Sequence, residues 1–277
     1  IAGSSIICHG GYRLWREKVT LASMCLLAIA FNQHPNAALI VASNRDEFYA
    51  RPTLPMHWWQ DMPVLAGRDE QQGGTWMGLS RNGRFAAVTN FRDFSKPGFH
   101  EARPKSRGNL VTDFLCSQAS AKDWADSVLE DFDVYGGFNL LIYDGEQLLY
   151  LNNFNHQVRS LEPGIYALSN HLLDSPWPKV DYARRQLKET LSKRGSNQQL
   201  AEDLLGLLEQ NQTYPDHLLP STGVPADWER RLSSAFIVAE DYGTRAATSI
   251  VLSSSGSSIA EQTYIKGVAE RHEIFTF

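Results

Sequence analysis

Cysteine is scarce: Cys8, Cys25 and Cys116 are the only three in 277 residues, and no two stand at a paired spacing. That excludes a disulfide framework and a cysteine-built structural zinc site, and it suits a reducing compartment. No apolar run approaches the roughly 18 residues that a membrane-spanning helix needs, so no integral membrane segment is expected. A basic excess is also lacking. The 26 Lys and Arg against 31 Asp and Glu leave a net charge of -5, which argues against a nucleic-acid partner. The 8 histidines are scattered, with no two at helical metal-ligand spacing. No Gly-Lys-Ser/Thr follows the glycine clusters, so no phosphate loop is read. Neither a metal nor a resident cofactor is expected. Internal repeats and low-complexity linkers are missing too.

What is present is an ordinary globular composition, 43% hydrophobic, long enough for a large core. Its most informative stretch is Met24-Cys25-Leu26-Leu27-Ala28-Ile29-Ala30-Phe31, which has the length of a buried strand. Arg13, Arg16 and Lys18 precede it in the manner of a signal peptide, yet Asn32-Gln33-His34-Pro35-Asn36 follows as a turn instead of a small-residue cleavage site. Residues 1–23 are therefore expected to be an upstream extension outside the fold. Met24 is then the start, and residues 24–277 form a single domain. If that methionine is trimmed, Cys25 carries a thiol and a free amine on one residue, a minimal catalyst for acyl transfer. With no targeting segment from Met24 onward, a cytoplasmic location is expected.

Ala37–Ser43 reads as a second buried strand, hairpinned to the first. It is followed by the polar run Asn44-Arg45-Asp46-Glu47 and then Phe48–Pro52. His57 to Pro63 reads as irregular. Asn82-Gly83 and Asp144-Gly145 are hairpin signals between strand-like runs. Asn109–Ala119 has helical periodicity, and Ser120 caps a second helix over Ala121–Phe132. Lys179–Lys193 and Leu200–Leu208 are amphipathic helices. Gly164–Asn170, Ala235–Ala239, Thr248–Leu252 and Gln262–Lys266 complete the strands, with Asp241–Arg245 as a turn. Strands at both ends and helices between them point to antiparallel sheets with helices packed outside.

Asn44-Arg45-Asp46-Glu47 resembles the signature of the NRDE family, the relatives of transport and Golgi organisation protein 2. Met24-Cys25, Gly73–Gly78, Thr89-Asn90, Arg107-Gly108, Gly136–Leu140, Leu168–Asn170 and Tyr242–Arg245 match in order. The family is similar to the N-terminal-nucleophile (Ntn) hydrolases, notably the cysteine branch. The resemblance implies an α+β fold, a four-layer αββα sandwich. It also implies a site for hydrolysing or transferring amide or thioester acyl groups. Cys25 would be the nucleophile, with an α-amine of reference pKa about 7.7–8.0 as its base; otherwise it is a packed thiol. Arg45 and Asp46 would hold the amine, bind a substrate oxygen or favour the thiolate, in an order left open, or else form a buried network that fixes the hairpin. Asn90 and Asn139 would be oxyanion donors, or a turn cap and an inward polar tie. Arg245 would support the nucleophile. Asn170 and His171 are a weaker pair. The expected partner is a small hydrophobic or acyl-bearing ligand. Trp58, Trp59, Trp76 and Trp177 line its pocket or simply the core. The alternative implied by the family is non-enzymatic binding and trafficking of haem or acyl-lipid ligands, linked to Golgi organisation and secretion. The oligomeric state is left open.

Overall fold

A computed structural model describes residues 24–94, 103–193 and 195–277. The expected upstream extension, Cys8 and part of the loop between Asp93 and Ser106 lie outside the described residues. Strands β1 (Met24–His34), β2 (Ala37–Phe48), β10 (Gly164–Leu168), β11 (Tyr242–Leu252), β12 (Ser258–Ile265) and β13 (Val268–Thr276) form one sheet, in the order β10-β1-β2-β11-β12-β13. Strands β3 (Thr53–Trp58), β4 (Val64–Asp69), β5 (Met77–Ser80), β6 (Phe85–Asn90), β7 (Phe138–Tyr143), β8 (Leu148–Asn152) and β9 (Gln157–Ser160) form the second sheet, in sequence order. Every strand pairing is antiparallel.

Alternation along β1 shows how the layers arise. Cys25, Leu27, Ile29 and Phe31 pack with Leu65, Leu79, Phe85 and Leu141 of the second sheet. Leu26, Ala28 and Ala30 pack outward on Val180, Ala183 and Leu187 of α3 (Pro178–Thr190) and on Leu200 and Leu204 of α4 (Asn197–Leu205). Because both faces are covered, the strand reads as a continuous apolar run. The outer face of the second sheet is covered by α1 (Arg107–Cys116) and α2 (Ala121–Val128), through Leu110, Phe114, Trp124 and Ala125. Helix, sheet, sheet, helix is the expected αββα sandwich. The Ser120 cap is observed, its side chain accepting from Asp123 N at 3.1 Å, but α2 stops at Val128 and a 3₁₀ turn continues over Leu129–Val134.

Several boundaries differ from the sequence reading. The polar run Asn44–Glu47 lies inside β2, because β11 pairs along the far side of β2 as far as Phe48 and satisfies its backbone. Correspondingly Tyr242–Arg245 is strand rather than turn. Ala235–Ala239 is not a strand: Val238 is 50% exposed and makes only an isolated bridge to Gly243. His57 and Trp58 belong to β3. The strand read as Gln262–Lys266 is longer, and a further edge strand, β13, follows it. That edge is mostly exposed, VAERHEIFT, so it lacks the apolar alternation that signals a strand. The Gly-Gly and Arg-Gly motifs meet in space. A Cβ on Gly74 would stand 2.8 Å from the Gly108 carbonyl carbon, so this backbone contact admits no side chain.

Candidate functional site

The pairing of β1 with β2 sets the site. Cys25 stands opposite Arg45, and Met24 opposite Asp46. Side chains alternate between faces along a strand, so Cys25 and Arg45 face the second sheet while Met24 and Asp46 face the helices. Cys25 is buried, 2% exposed.

On the inner face the Arg45 guanidinium lies 4.1 Å from the Trp76 ring centroid, and its Nη2 is 3.5 Å from Glu47 Oε2. Arg51 continues the chain of charges, 3.6 Å from Glu47 and 2.6 Å from Asp69. Arg45 and Trp76 wall a cleft of about 170 Å³, whose lining includes Leu54, Pro55, Arg245 and Glu261. Arg245 occupies the irregularity in β11 between Thr244 and Ala246, which pair with Asp46 and Arg45. A bulge of this kind re-aims a side chain. Here Arg245 Nη1 donates to Phe48 O at 3.0 Å and to Arg51 O at 3.2 Å, pinning the chain that leaves β2.

On the outer face, Asp46 Oδ1 accepts from Thr244 Oγ1 at 2.7 Å. Burial pushes the Asp46 carboxyl up to about 6, opposed first by the charge of Lys179 and then by the Thr244 bond. Lys179 opens α3, is 2% exposed, and donates from Nζ to Leu232 O at 2.8 Å. Burial lowers its ammonium to about 8, against the pull of Asp46. Between those two values both groups are charged. Beside them Arg92 Nη2 is 3.0 Å from Glu229 Oε2. Glu229 Oε1 also accepts from Thr222 N at 3.0 Å and from the Thr222 hydroxyl.

Past the other edge of β1, beyond the end of β10, Ser169 Oγ donates to Cys25 O at 3.1 Å. Asn170 Nδ2 donates to Asn90 O at 3.0 Å, which ties the end of β6 to the turn after β10, and Asn170 Oδ1 accepts from Ser169 Oγ at 3.2 Å. Asn139 Nδ2 donates to Thr89 Oγ1 at 3.1 Å and to His171 O at 3.0 Å. Its Oδ1 accepts from Tyr150 OH at 2.7 Å. The Asn139 amide is thus used in holding β6, β7 and β8 to the His171 turn. His171 sits with its ring 5.0 Å from Phe91 and 5.5 Å from Trp177, its Nδ1 2.7 Å from Ser175 Oγ.

The fold therefore places Cys25, Arg45 and Asp46 on neighbouring strand positions, with Asn90 joined to them through Asn170 and with Arg245 beside Arg45. Asn139 stands one hydrogen bond further off. Sequence reasoning missed Lys179, Arg92 and Glu229. Lys179 carried a signal, since it lies four residues before Ala183 on the apolar stripe of α3, where a cation has to be buried. Arg92 and Glu229 carried none. Among the described residues, no group of three or more His, Cys, Asp or Glu is placed to hold a metal, and no helix is long and apolar enough to cross a membrane.

Comparison with known proteins agrees with the motif reading. The sequence profile described as Transport and Golgi organisation 2 matches residues 24–266. The Transport and Golgi organization protein 2 homolog of Bos taurus is 32% identical over 84% of this chain and 90% of its own length. The Homo sapiens homolog is also 32% identical, over the same two shares. Among solved structures, the Caenorhabditis elegans N-acylethanolamine-hydrolyzing acid amidase ortholog superposes with a TM-score of 0.46 at 13% identity, over 82% of this chain and 92% of that one. The NRDE signature, the matched profile and relatives aligned along most of their length agree: the chain belongs to the Transport and Golgi organisation 2 family.

Proposed function

We propose that Cys25, freed at its amine by removal of Met24, is a nucleophile that hydrolyses or transfers amide- or thioester-linked acyl groups. The observation that carries this reading is the strand register. It sets Arg45 opposite Cys25 and the Asp46 carboxylate opposite residue 24, where a liberated Cys25 amine would lie. The match of the family profile from residue 24 supports the same start, with residues 1–23 outside the working domain.

In this reading the α-amine takes the thiol proton and the thiolate attacks the acyl carbonyl carbon. Asp46, oriented by Thr244, accepts a hydrogen bond from the amine. Arg45 supplies positive charge on the thiol's own face. Asn90 is the oxyanion donor, and Asn139 fixes its strand through Thr89. The tetrahedral intermediate collapses as the ammonium returns its proton to the leaving amine or thiol. Water, deprotonated by the same amine, then hydrolyses the Cys25 thioester, or a second nucleophile takes the acyl group. A cytoplasmic location belongs to the proposal, because a reducing compartment protects the Cys25 thiol from oxidation.

The test is incubation with S-pentanoyl-N-acetylcysteamine, followed by intact-mass and peptide mass spectrometry. The expected result is a protein beginning at Cys25, an acyl adduct on that residue and release of thiol, with adduct and release both lost in Cys25→Ala. Turnover that survives in Cys25→Ala overturns the reading.

A further inference from the structure

Met24 fills a closed chamber on the helix side of the first sheet. It is 1% exposed and packs with Trp228, Leu232, Ile237 and Tyr242. Trp228 comes from the short helix α5 (Ala226–Arg231). The Tyr242 ring is 5.0 Å from Phe48 and 5.8 Å from Trp228, both edge-on.

Charged groups stand at the same end of β1. Lys179 is within electrostatic reach of Asp46, Arg92, Glu229 and Cys25, and Arg92 is within reach of Tyr242. Arg92 Nη2 is 3.0 Å from Glu229 Oε2, but its Nε and Nη1 are buried without a hydrogen-bond partner among the described residues. The Tyr242 hydroxyl lies by the Met24 backbone N–H and makes no well-formed bond either. Buried donors are almost always paired, and an unmade bond to a charged group is costly. Several unmade donors beside one apolar chamber have the make-up of a ligand subsite, an apolar pocket with a few polar anchors.

We propose that this chamber, once Met24 is gone, receives the anionic end of the substrate: an unbranched aliphatic stem, about as long as a methionine side chain, ending in a carboxylate held by Arg92 and Tyr242. The inference rests on the Cys25 reading only in linking this subsite to catalysis. Removal of Met24 makes Cys25 the end of its strand, where the thiol face and the chamber face of the sheet meet. The charges of Asp46, Glu229, Lys179 and Arg92 cancel among themselves, so an entering carboxylate meets no surplus of negative charge and is held by the unmade donors of Arg92 and Tyr242. The acyl groups expected are then those of dicarboxylic acids joined through one carboxyl.

Calorimetric titration of the full chain carrying Met24→Ala tests the chamber directly, with glutarate and pentanoate as probes. Glutarate is expected to bind at least about ten-fold tighter than pentanoate, a preference of about 1.4 kcal/mol. Adding Arg92→Met brings the ratio to about one. Adding Tyr242→Phe, which keeps the ring packing, reduces it a few-fold and serves if Arg92→Met does not fold. Absence of glutarate binding, equal affinities, or a preference unchanged in both substituted proteins overturns the proposal. Failure of Cys25 to take an acyl group from the thioester while glutarate still binds overturns the nucleophile reading and leaves the subsite standing.

Discussion

The two helix-covered faces of the sandwich are built differently. Over the second sheet, α1 and α2 close on Val88, Leu140, Ile142 and Leu149, an apolar layer. Its buried cation, Arg84, has its guanidinium 4.1 Å from the Phe114 ring centroid. Over the first sheet, α3 and α4 cover a similar apolar layer, but one end holds Asp46, Lys179, Arg92 and Glu229, none more than 4% exposed. Burying charge costs several kcal/mol per ion before pairing offsets it. In the layer over the second sheet that cost falls on Arg84, whose Nη2 is buried without a hydrogen-bond partner among the described residues, while the rest of the layer is apolar. The charged end is where the sheet gives up stability, and it is also where Cys25 begins its strand.

Breaking one partner at the charged end is expected to have the largest effect. Lys179→Met leaves Asp46 buried without its compensating cation and should cost about 4 kcal/mol in chemical denaturation. Pairing it with Asp46→Asn should recover most of that loss, since removing both charges is close to neutral. No recovery in the double variant means that the two groups are not partners. On the apolar face, Leu140→Ala should cost about 3 kcal/mol by leaving a cavity, with the rate of Cys25 acylation unchanged. A fall in that rate would show that the two faces are coupled.

The charged end should also give the protein an unusual pH dependence. Asp46 is raised from 3.8 to about 6, so between those values the folded state holds a proton that the unfolded chain has released. Stability therefore falls as pH rises through that window. Glu261, raised from 4.5 to about 6 by burial, acts in the same sense. Lys179 is lowered from 10.5 to about 8. There the unfolded chain holds the extra proton, so stability rises with pH across that alkaline window. Asp46→Asn should make the acid limb shallower, leaving the part due to Glu261 and to Asp113 and Asp174, which burial also raises, measured as the unfolding midpoint against pH. The smallest effect is expected inside the second sheet's polar ties. Tyr150→Phe removes the hydroxyl that donates to Asn139 and accepts from Leu173 N at 3.2 Å, worth about 1 kcal/mol.

Much of this was legible before any fold was known. The apolar run at Met24–Phe31, the hairpin turns at Asn82-Gly83 and Asp144-Gly145 and the stripe of α3 are local patterns, set by side-chain period and turn chemistry. The NRDE segment named the family. Its position within β2 was not readable, because a polar run looks like the end of a strand until β11 is known to pair along it. The edge strand β13 was missed because its exposed face carries no apolar alternation.

By itself the sequence determined the family, the hairpin strands and the amphipathic helices, and Cys25, Arg45 and Asp46 as residues worth attention. Only the tertiary structure split those three between the two faces of one sheet, re-aimed Arg245 through a bulge and set Lys179 against Asp46. The reason is physical. Propensity and periodicity act over a few residues, whereas the burial of a charge depends on which distant element comes to cover it.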